Sequence, residues 1–251
     1  MNYKNNFLLT IIFIILFKLY FYITHENFIN NIKLKNNLIT YVIHYTPLKE
    51  RKQFLLNEFN KHSLIYHFIE DYDRENLSNE DLRIFNTKFP KSQCGITLSH
   101  IHSYRKIVNN NYKYSLILED DVILDDNFGY KLEKGLTQLP NDYDMLFIGN
   151  GANLHIEPSI IKPKQLIYKK CREPTNWGGD GGTRCTDSYL ISKKCAKKLI
   201  NYISKLKEGS IQMPIDWWLN QVIRDLQLEI YWMEPTIVTQ GTETGKYKSS
   251  H

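Results

Sequence analysis

The run Tyr114-Ser115-Leu116-Ile117-Leu118-Glu119-Asp120-Asp121-Val122 is a short apolar strand that ends abruptly in acid. A continuous apolar run of this length is the pattern of a strand covered on both faces, as in a parallel sheet flanked by helices. In such sheets ligands bind outside the carboxyl ends of the strands, which is where Glu119, Asp120 and Asp121 fall. Three adjacent carboxylates repel one another and call for a cation. Their hard oxygens suit Mn²⁺ or Mg²⁺, which would in turn neutralise a diphosphate. A solvated acidic turn is the alternative reading of the same residues.

Outward from this strand the pattern alternates. Upstream, Leu38–His44 reads as a first strand and Ile65–Ile69 as a second. Between them Thr46-Pro47 opens a helix with Phe54, Leu55, Phe59 and His62 on one face. Ser78 caps a helix expected to run to Phe89 before Pro90, and another spans Gly95–Val108. Downstream come a helix around Phe128–Leu139 and a strand at Met145–Ile148. Asn150–Arg184 is irregular, with only Gln165–Lys169 strand-like; so long a loop in a compact domain is usually functional. A strand at Asp187–Ile191, a helix at Lys193–Leu206, a helix after Pro214 and a strand at Leu228–Met233 complete the series. The expectation is one α/β domain over 38–251 with a mostly parallel central sheet.

The composition, 42% apolar and 24% charged in 251 residues, excludes a disordered, collagenous or disulfide-scaffold chain. The net charge of +5 suggests a basic surface. Much of it sits at the N-terminus, where Lys4, Lys18, Lys33 and Lys35 face only Glu26. The remainder is close to balanced and offers no basic track for nucleic acid. Phe7–Phe17 is apolar except for Thr10, and the run resumes over Leu19–Ile23. As a helix, 7–23 would span about 25 Å, near a bilayer's hydrocarbon core. Lys18 can snorkel and Tyr20 and Tyr22 suit an interface. No small-residue cleavage site follows Ile23, which favours a signal anchor over a cleaved signal peptide. Lys4 and the terminal amine favour a cytoplasmic tail, hence a single-pass type II protein with a short stem (24–37) and a luminal or external domain. Cys94, Cys171, Cys185 and Cys195 lack C-x-x-C spacing, which argues against zinc. A Cys171–Cys185 disulfide and four free thiols both remain open.

Two further segments carry candidate chemistry. Trp177-Gly178-Gly179-Asp180-Gly181-Gly182 has neither G-x-G-x-x-G nor P-loop spacing, but its glycines allow close backbone approach to a ligand, or form a flexible loop. In Pro214-Ile215-Asp216-Trp217-Trp218, Asp216 is either a helix N-cap or a general base beside rings that stack on a sugar or fill the core. A histidine such as His100, on a helix face, is commonly structural.

Taken together, these segments resemble glycosyltransferase family 25, which includes bacterial lipooligosaccharide galactosyltransferases and collagen β-galactosyltransferases. The likeness covers about residues 39–240. It rests on Ile39–Arg51, Gly95-Ile96-Thr97-Leu98-Ser99-His100, Leu116–Val122, Asp187–Leu199, Pro214-Ile215-Asp216 and Pro235–Gln240. The resemblance implies a GT-A-type fold, a nucleotide-sugar donor, usually a UDP-hexose such as UDP-galactose or UDP-glucose, and inversion at the anomeric carbon. It makes the acidic triplet the DxD-like motif, with Asp121 and Glu119 on Mn²⁺ (or Mg²⁺) and Asp120 on the donor ribose or sugar. Arg51, His100 and Gln240 join Asp120 in donor binding. Asp216 is the first choice for the base that deprotonates a hydroxyl of a glycan or protein acceptor, and Asp187 the second. The chain departs from the family pattern at His44-Tyr45-Thr46, where an Asn-Leu-type turn is common, and at Thr186-Asp187-Ser188, where small residues are usual. A non-catalytic sugar-binding module and a metal-dependent phosphotransferase or nuclease are the competing readings.

Overall fold

Leu118 and its neighbours Leu116 and Ile117 have no solvent exposure, and the chain is built around them. The computed structural model describes residues 38–170 and 181–248. The expected anchor, stem, Cys171 and the Trp177 end of the glycine-rich run lie outside these residues. Among the described residues no helix is long and apolar enough to cross a membrane.

In chain order the elements are β1 (Ile39–Ile43), α1 (Lys49–His62), β2 (Ile65–Ile69), α2 (Asn79–Leu82), α3 (Lys91–Asn109), β3 (Tyr114–Glu119), β4 (Val122–Leu124), α4 (Phe128–Leu136), β5 (Met145–Phe147), β6 (Ile167–Lys169), β7 (Ser188–Ser192), α5 (Lys193–Ile203), α6 (Ile215–Asp225), β8 (Ile230–Met233) and β9 (Val238–Gln240). Seven strands form one sheet in the order β2-β1-β3-β7-β5-β8-β6, and β4 pairs with β9 in a separate antiparallel ribbon. Strands β2, β1, β3, β5 and β8 run one way, while β7 and β6 run against them. The central sheet is therefore α/β and mostly parallel in strand direction, as the alternation implies.

Alternate residues of β3 serve two different cores, the period-2 signature of a sheet covered on both faces. Ile117 joins Tyr104, Tyr189, Leu199 and Trp218 in the cluster under α3, α5 and α6. Leu116 and Leu118 join Leu55, Phe59, Phe128 and Leu132 under α1 and α4.

Several expected boundaries move, each for a tertiary reason. The helix capped by Ser78 stops at Leu82, because the backbone leaves to pair Phe85 with Ile211 and Asn86 N–H with the Ile211 carbonyl at 2.8 Å. α3 begins at Lys91, directly after Pro90, so Gly95 lies within it. There a Cβ would strike the Tyr72 carbonyl oxygen, so glycine lets the helix close on that loop. The strand character of Val122–Leu124 and Val238–Gln240 escapes a periodicity reading because both are too short to show alternation.

The end of the long loop is pinned by a buried ion pair. Arg184 has no exposed surface. It donates to the Met233 carbonyl at 2.8 Å, pairs with the Glu234 carboxylate and lies over the Trp232 ring at 4.4 Å. Glu234 Oε1 also accepts from Ile156 N–H at 3.0 Å, so one carboxylate ties both halves of the loop to β8. Arg184→Met leaves Glu234 buried without its cation and should lower stability by about 3–5 kcal/mol. Adding Glu234→Gln should recover part of that loss; denaturant midpoints of the single and double variants measure both.

Candidate active site

The reversed direction of β7 assembles the site. β1, β3 and β5 end at one edge of the sheet, and β7, running against them, begins there. Glu119 N–H donates to the Asp187 carbonyl at 2.8 Å, fixing the end of β3 beside the start of β7. α6 begins at the same edge with Asp216 in its first turn. The β4–β9 ribbon places Gln240 opposite Val122, and Gly241 N–H donates to the Asp121 carbonyl at 2.7 Å. Glu119, Asp121, Asp187 and Asp216 thus come from three strand or helix ends and act electrostatically on one another.

The three consecutive acids have different environments. Asp120 is neutralised from within the chain. Arg51 Nη1 donates to its Oδ1 at 2.7 Å, while His44 Nδ1 and Tyr45 N–H donate to Oδ2 at 2.9 and 3.2 Å. Burial pushes the Asp120 carboxyl up, but the His44 and Arg51 hydrogen bonds and the Arg51 charge outweigh it and hold it below the usual carboxylate value. Glu119 Oε1 accepts from Thr186 Oγ1 at 2.8 Å and stands 3.4 Å from His100 Nε2. Among the described residues no cationic side chain pairs with Asp121. Thr242 Oγ1 donates to its Oδ2 at 2.6 Å, and its buried Oδ1 has no hydrogen-bond partner. Burial, then the Glu119 charge, pushes the Asp121 carboxyl up to about 6.

Asp187 is fully buried, with Oδ2 accepting from Ser188 Oγ at 2.8 Å and Oδ1 unpartnered. Its carboxyl lies where a Cβ on Gly149 would have to be; a Cβ on Gly151 would strike the Arg184 carbonyl oxygen first. Burial and the charges of Glu119 and Asp121 raise its carboxyl well above the usual value. Asp216 is half-buried, and its Oδ1 accepts from Trp217 N–H at 2.9 Å. Burial, with the Glu119 charge adding to it, raises this carboxyl too. Of the two neighbouring indoles, Trp218 is 4% exposed and belongs to the core, whereas Trp217 is 51% exposed.

The remaining expected residues occupy distinct positions. Arg51 Nη2 donates to the Lys248 carbonyl at 2.6 Å, and its guanidinium lies 5.0 Å from the Tyr247 ring centroid. His100 has no exposed surface; its Nδ1 is 2.8 Å from Tyr189 Oη, so it backs Glu119 from the protein interior. Gln240 ends β9, half-buried. Asp125 and Asp126 are paired with Lys131 and Lys61 and stand apart from the cluster. Cys94, Cys185 and Cys195 are free thiols. Thr242, Gly149 and Gly151 carry no sequence signal, and His44 and Thr186 stand out in the sequence only as departures from the family pattern. His44 directly follows β1, but nothing in its spacing signals a bond to a residue in β3's loop. Beside this group, a cavity of about 40 Å³ opens between Ile43, His44, Tyr45, Tyr72, Asp73 and Gly95.

The donor set fits a hard divalent cation. Asp121 and Asp187 each hold an unpartnered carboxylate oxygen, next to Glu119. Among the described residues no group of three or more His, Cys, Asp or Glu side chains is placed to hold a metal ion by itself, so protein ligands would supply only part of a shell. Mg²⁺-type ions commonly take one or two carboxylates and complete their shell with phosphate oxygens and water.

The elevated Asp121 carboxyl has a consequence for the metal-free protein. The folded state binds this proton more tightly than the unfolded state, so its stabilisation is complete below about pH 4 and is lost as pH rises through about 6. The gap from 3.8 to about 6, at about 1.4 kcal/mol per pH unit, corresponds to about 3 kcal/mol. Asp121→Asn should remove that pH dependence, as read by chemical denaturation in chelator at pH 4.5 and 7.

Residues 37–219 match the family described as Glycosyltransferase family 25 (LPS biosynthesis protein). The lipooligosaccharide biosynthesis protein lex-1 of Haemophilus influenzae is 26% identical over 171 residues, which is 63% of this chain and 52% of that protein. Procollagen galactosyltransferase 2 of Homo sapiens is 21% identical over 176 residues, 64% of this chain and 27% of that one. This chain therefore spans about half the length of the first and about a quarter of the second. A solved glycosyltransferase involved in glycosylation of the major capsid of PBCV-1 aligns with 79% of this chain and 94% of its own, at 9% identity and a TM-score of 0.33, too low to argue from. The family match covers most of the described chain and includes the acidic edge of the sheet: the chain belongs to glycosyltransferase family 25.

Proposed function

We propose that this chain is a metal-dependent, inverting glycosyltransferase of GT-A type, moving a hexose, galactose or glucose, from a UDP-sugar to a hydroxyl of a glycan or protein acceptor. The observation that carries the reading is the buried Asp121 carboxylate, held by Thr242 on one oxygen and unpartnered on the other, at the ligand edge of a family 25 sheet. A purely sugar-binding surface gives no reason to leave such a group uncompensated.

Each residue then has a part. Asp121 and Glu119 hold Mn²⁺ or Mg²⁺. When bound, the cation supplies a Lewis acid for charge on the departing diphosphate. Asp120 has both oxygens engaged, so it serves the donor by orienting Arg51 and His44. His100 and Thr186 fix Glu119, and Gln240 lines the donor side beside Asp121. Inversion requires a base on the face opposite the leaving group. Asp216 is half-buried with a raised carboxyl, so it can accept the hydroxyl proton near neutral pH. Asp187 is wholly enclosed, which favours Asp216 over it. The exposed face of Trp217 gives an acceptor sugar ring something to stack on. The apolar segment 7–23 would tether the enzyme to a membrane as a single-pass anchor.

Full-length protein incubated with UDP- and GDP-sugars, with Mn²⁺ or with EDTA, should release nucleotide only from a UDP-hexose and only with metal. Release from no donor, or release unaffected by EDTA, contradicts the proposal. Asp216→Asn should lower transfer about 10²- to 10⁴-fold with donor binding retained; isothermal titration with donor separates the two effects. Trp217→Ala should raise the acceptor KM about fivefold, with metal-dependent donor hydrolysis unchanged and Trp217→Phe restoring it.

A further inference from the structure

Tyr247 carries a buried hydroxyl that the reaction outlined above does not use. The segment after β9 that holds it is closed on itself. Glu243 and Thr244 N–H both donate to the Gln240 carbonyl at 3.1 Å, and Tyr247 N–H donates to the Gly241 carbonyl at 3.0 Å. The same segment is fastened to the acidic edge at three points. Thr242 Oγ1 holds Asp121, the Glu243 carboxylate accepts from Ala152 N–H, and the Lys248 carbonyl accepts from Arg51 Nη2. The Tyr247 ring meets Phe54 edge to face, with centroids 6.3 Å apart, and lies against the Arg51 guanidinium. A Cβ on Gly241 would strike both this ring and the Asp121 carbonyl oxygen. The ring is thus wedged between α1 and the loop that carries the acids.

The ring is packed on both sides, yet its oxygen is left over. Among the described residues Tyr247 Oη has no hydrogen-bond partner, although it is shut off from solvent. Phenylalanine would give the same packing without that cost. The charges of Arg51, Asp120 and Asp121 all act on the phenol. Burial raises it above its ordinary value, so it remains a proton donor at any working pH. Asp121 Oδ1, the unpartnered acceptor of the same corner, makes no bond to it. A donor and an acceptor left unpaired in one corner fit a ligand that answers both: a cation on the carboxylate, and an anion on that cation within reach of the hydroxyl.

We propose that Tyr247 binds the donor, its hydroxyl donating a hydrogen bond to a phosphate oxygen of the nucleoside diphosphate beside Arg51. The inference rests on the reading of this edge as a metal-dependent donor site. A diphosphate on the Asp121 cation brings the negative charge that a guanidinium and a phenol are suited to meet, in bonds stronger than those between neutral groups. No side chain of residues 242–248 is fully buried, so the segment can shift to admit the phosphates with little loss of packing.

The test is Tyr247→Phe in the full-length protein, which keeps the ring and removes the oxygen. Isothermal titration in Mn²⁺ should show UDP affinity lowered about tenfold, the weight of a hydrogen bond to a charged group. Uridine affinity, read by competition against UDP, should be unchanged. Chemical denaturation in chelator, without nucleotide, should give a midpoint equal to or above that of the wild type. A tyrosine kept only for structure would do the reverse, losing stability with its hydroxyl and binding UDP as before. Equal UDP affinity in the two proteins, an equal loss for uridine, or a lower denaturation midpoint overturns the proposal. Wild-type protein that binds no UDP in Mn²⁺ overturns the donor-site reading, and this inference with it.

Discussion

Three consecutive carboxylates at the end of one buried strand cannot all be left charged and alone, and the chain gives each a different partner. Asp120 draws His44, Tyr45 and Arg51 inward; this bond network holds the β1–α1 turn against the end of β3. Glu119 is held by Thr186 and His100, which brings the start of β7 and the middle of α3 to the same point. Asp121 is left with a hydroxyl on one side and nothing on the other. Burial first and the Glu119 charge second raise its carboxyl, and a single bound cation would offset both.

The rest of the edge follows from this division. The β4–β9 ribbon carries Thr242 to Asp121, and residues 246–248 return to cover Arg51. Gly149 is required where it stands because the Asp187 carboxyl fills the space a side chain would take, and Gly151 because the Arg184 carbonyl and the Cys185 side chain do so, with Asp187 close behind. Glu119, Asp121 and Asp187 gather where β1, β3 and β5 end, whereas Asp144, just before β5, is paired with Lys194 and Lys198.

Much of this was legible in the sequence. The apolar run Tyr114–Leu118 ending in acid gave the central strand and the address of the site. The alternation of elements implies a mostly parallel α/β sheet, and Asp187 and Asp216, both prominent in the sequence, lie within reach of the Glu119 charge. What periodicity could not supply was long-range pairing. Ser78 promised a helix to Phe89, and the Phe85–Ile211 bridge shortened it. His44 and Thr242, 76 and 121 residues from their partners in the acidic triplet, have no local signature. The two indoles at 217 and 218 could not be told apart until the helix placed one in the core and one outside.

The central claim is that Asp121, and not Asp120, is the carboxylate that takes the cation. Electron paramagnetic resonance titration of Mn²⁺ against full-length protein, with and without UDP, tests it directly. Wild type should bind one Mn²⁺ more tightly when UDP is present, and Asp121→Asn should weaken that binding about 10- to 100-fold. Asp120→Asn, which loosens Arg51 but leaves Asp121 in place, should weaken it less. Unchanged Mn²⁺ affinity in Asp121→Asn, or loss confined to Asp120→Asn, would contradict the account.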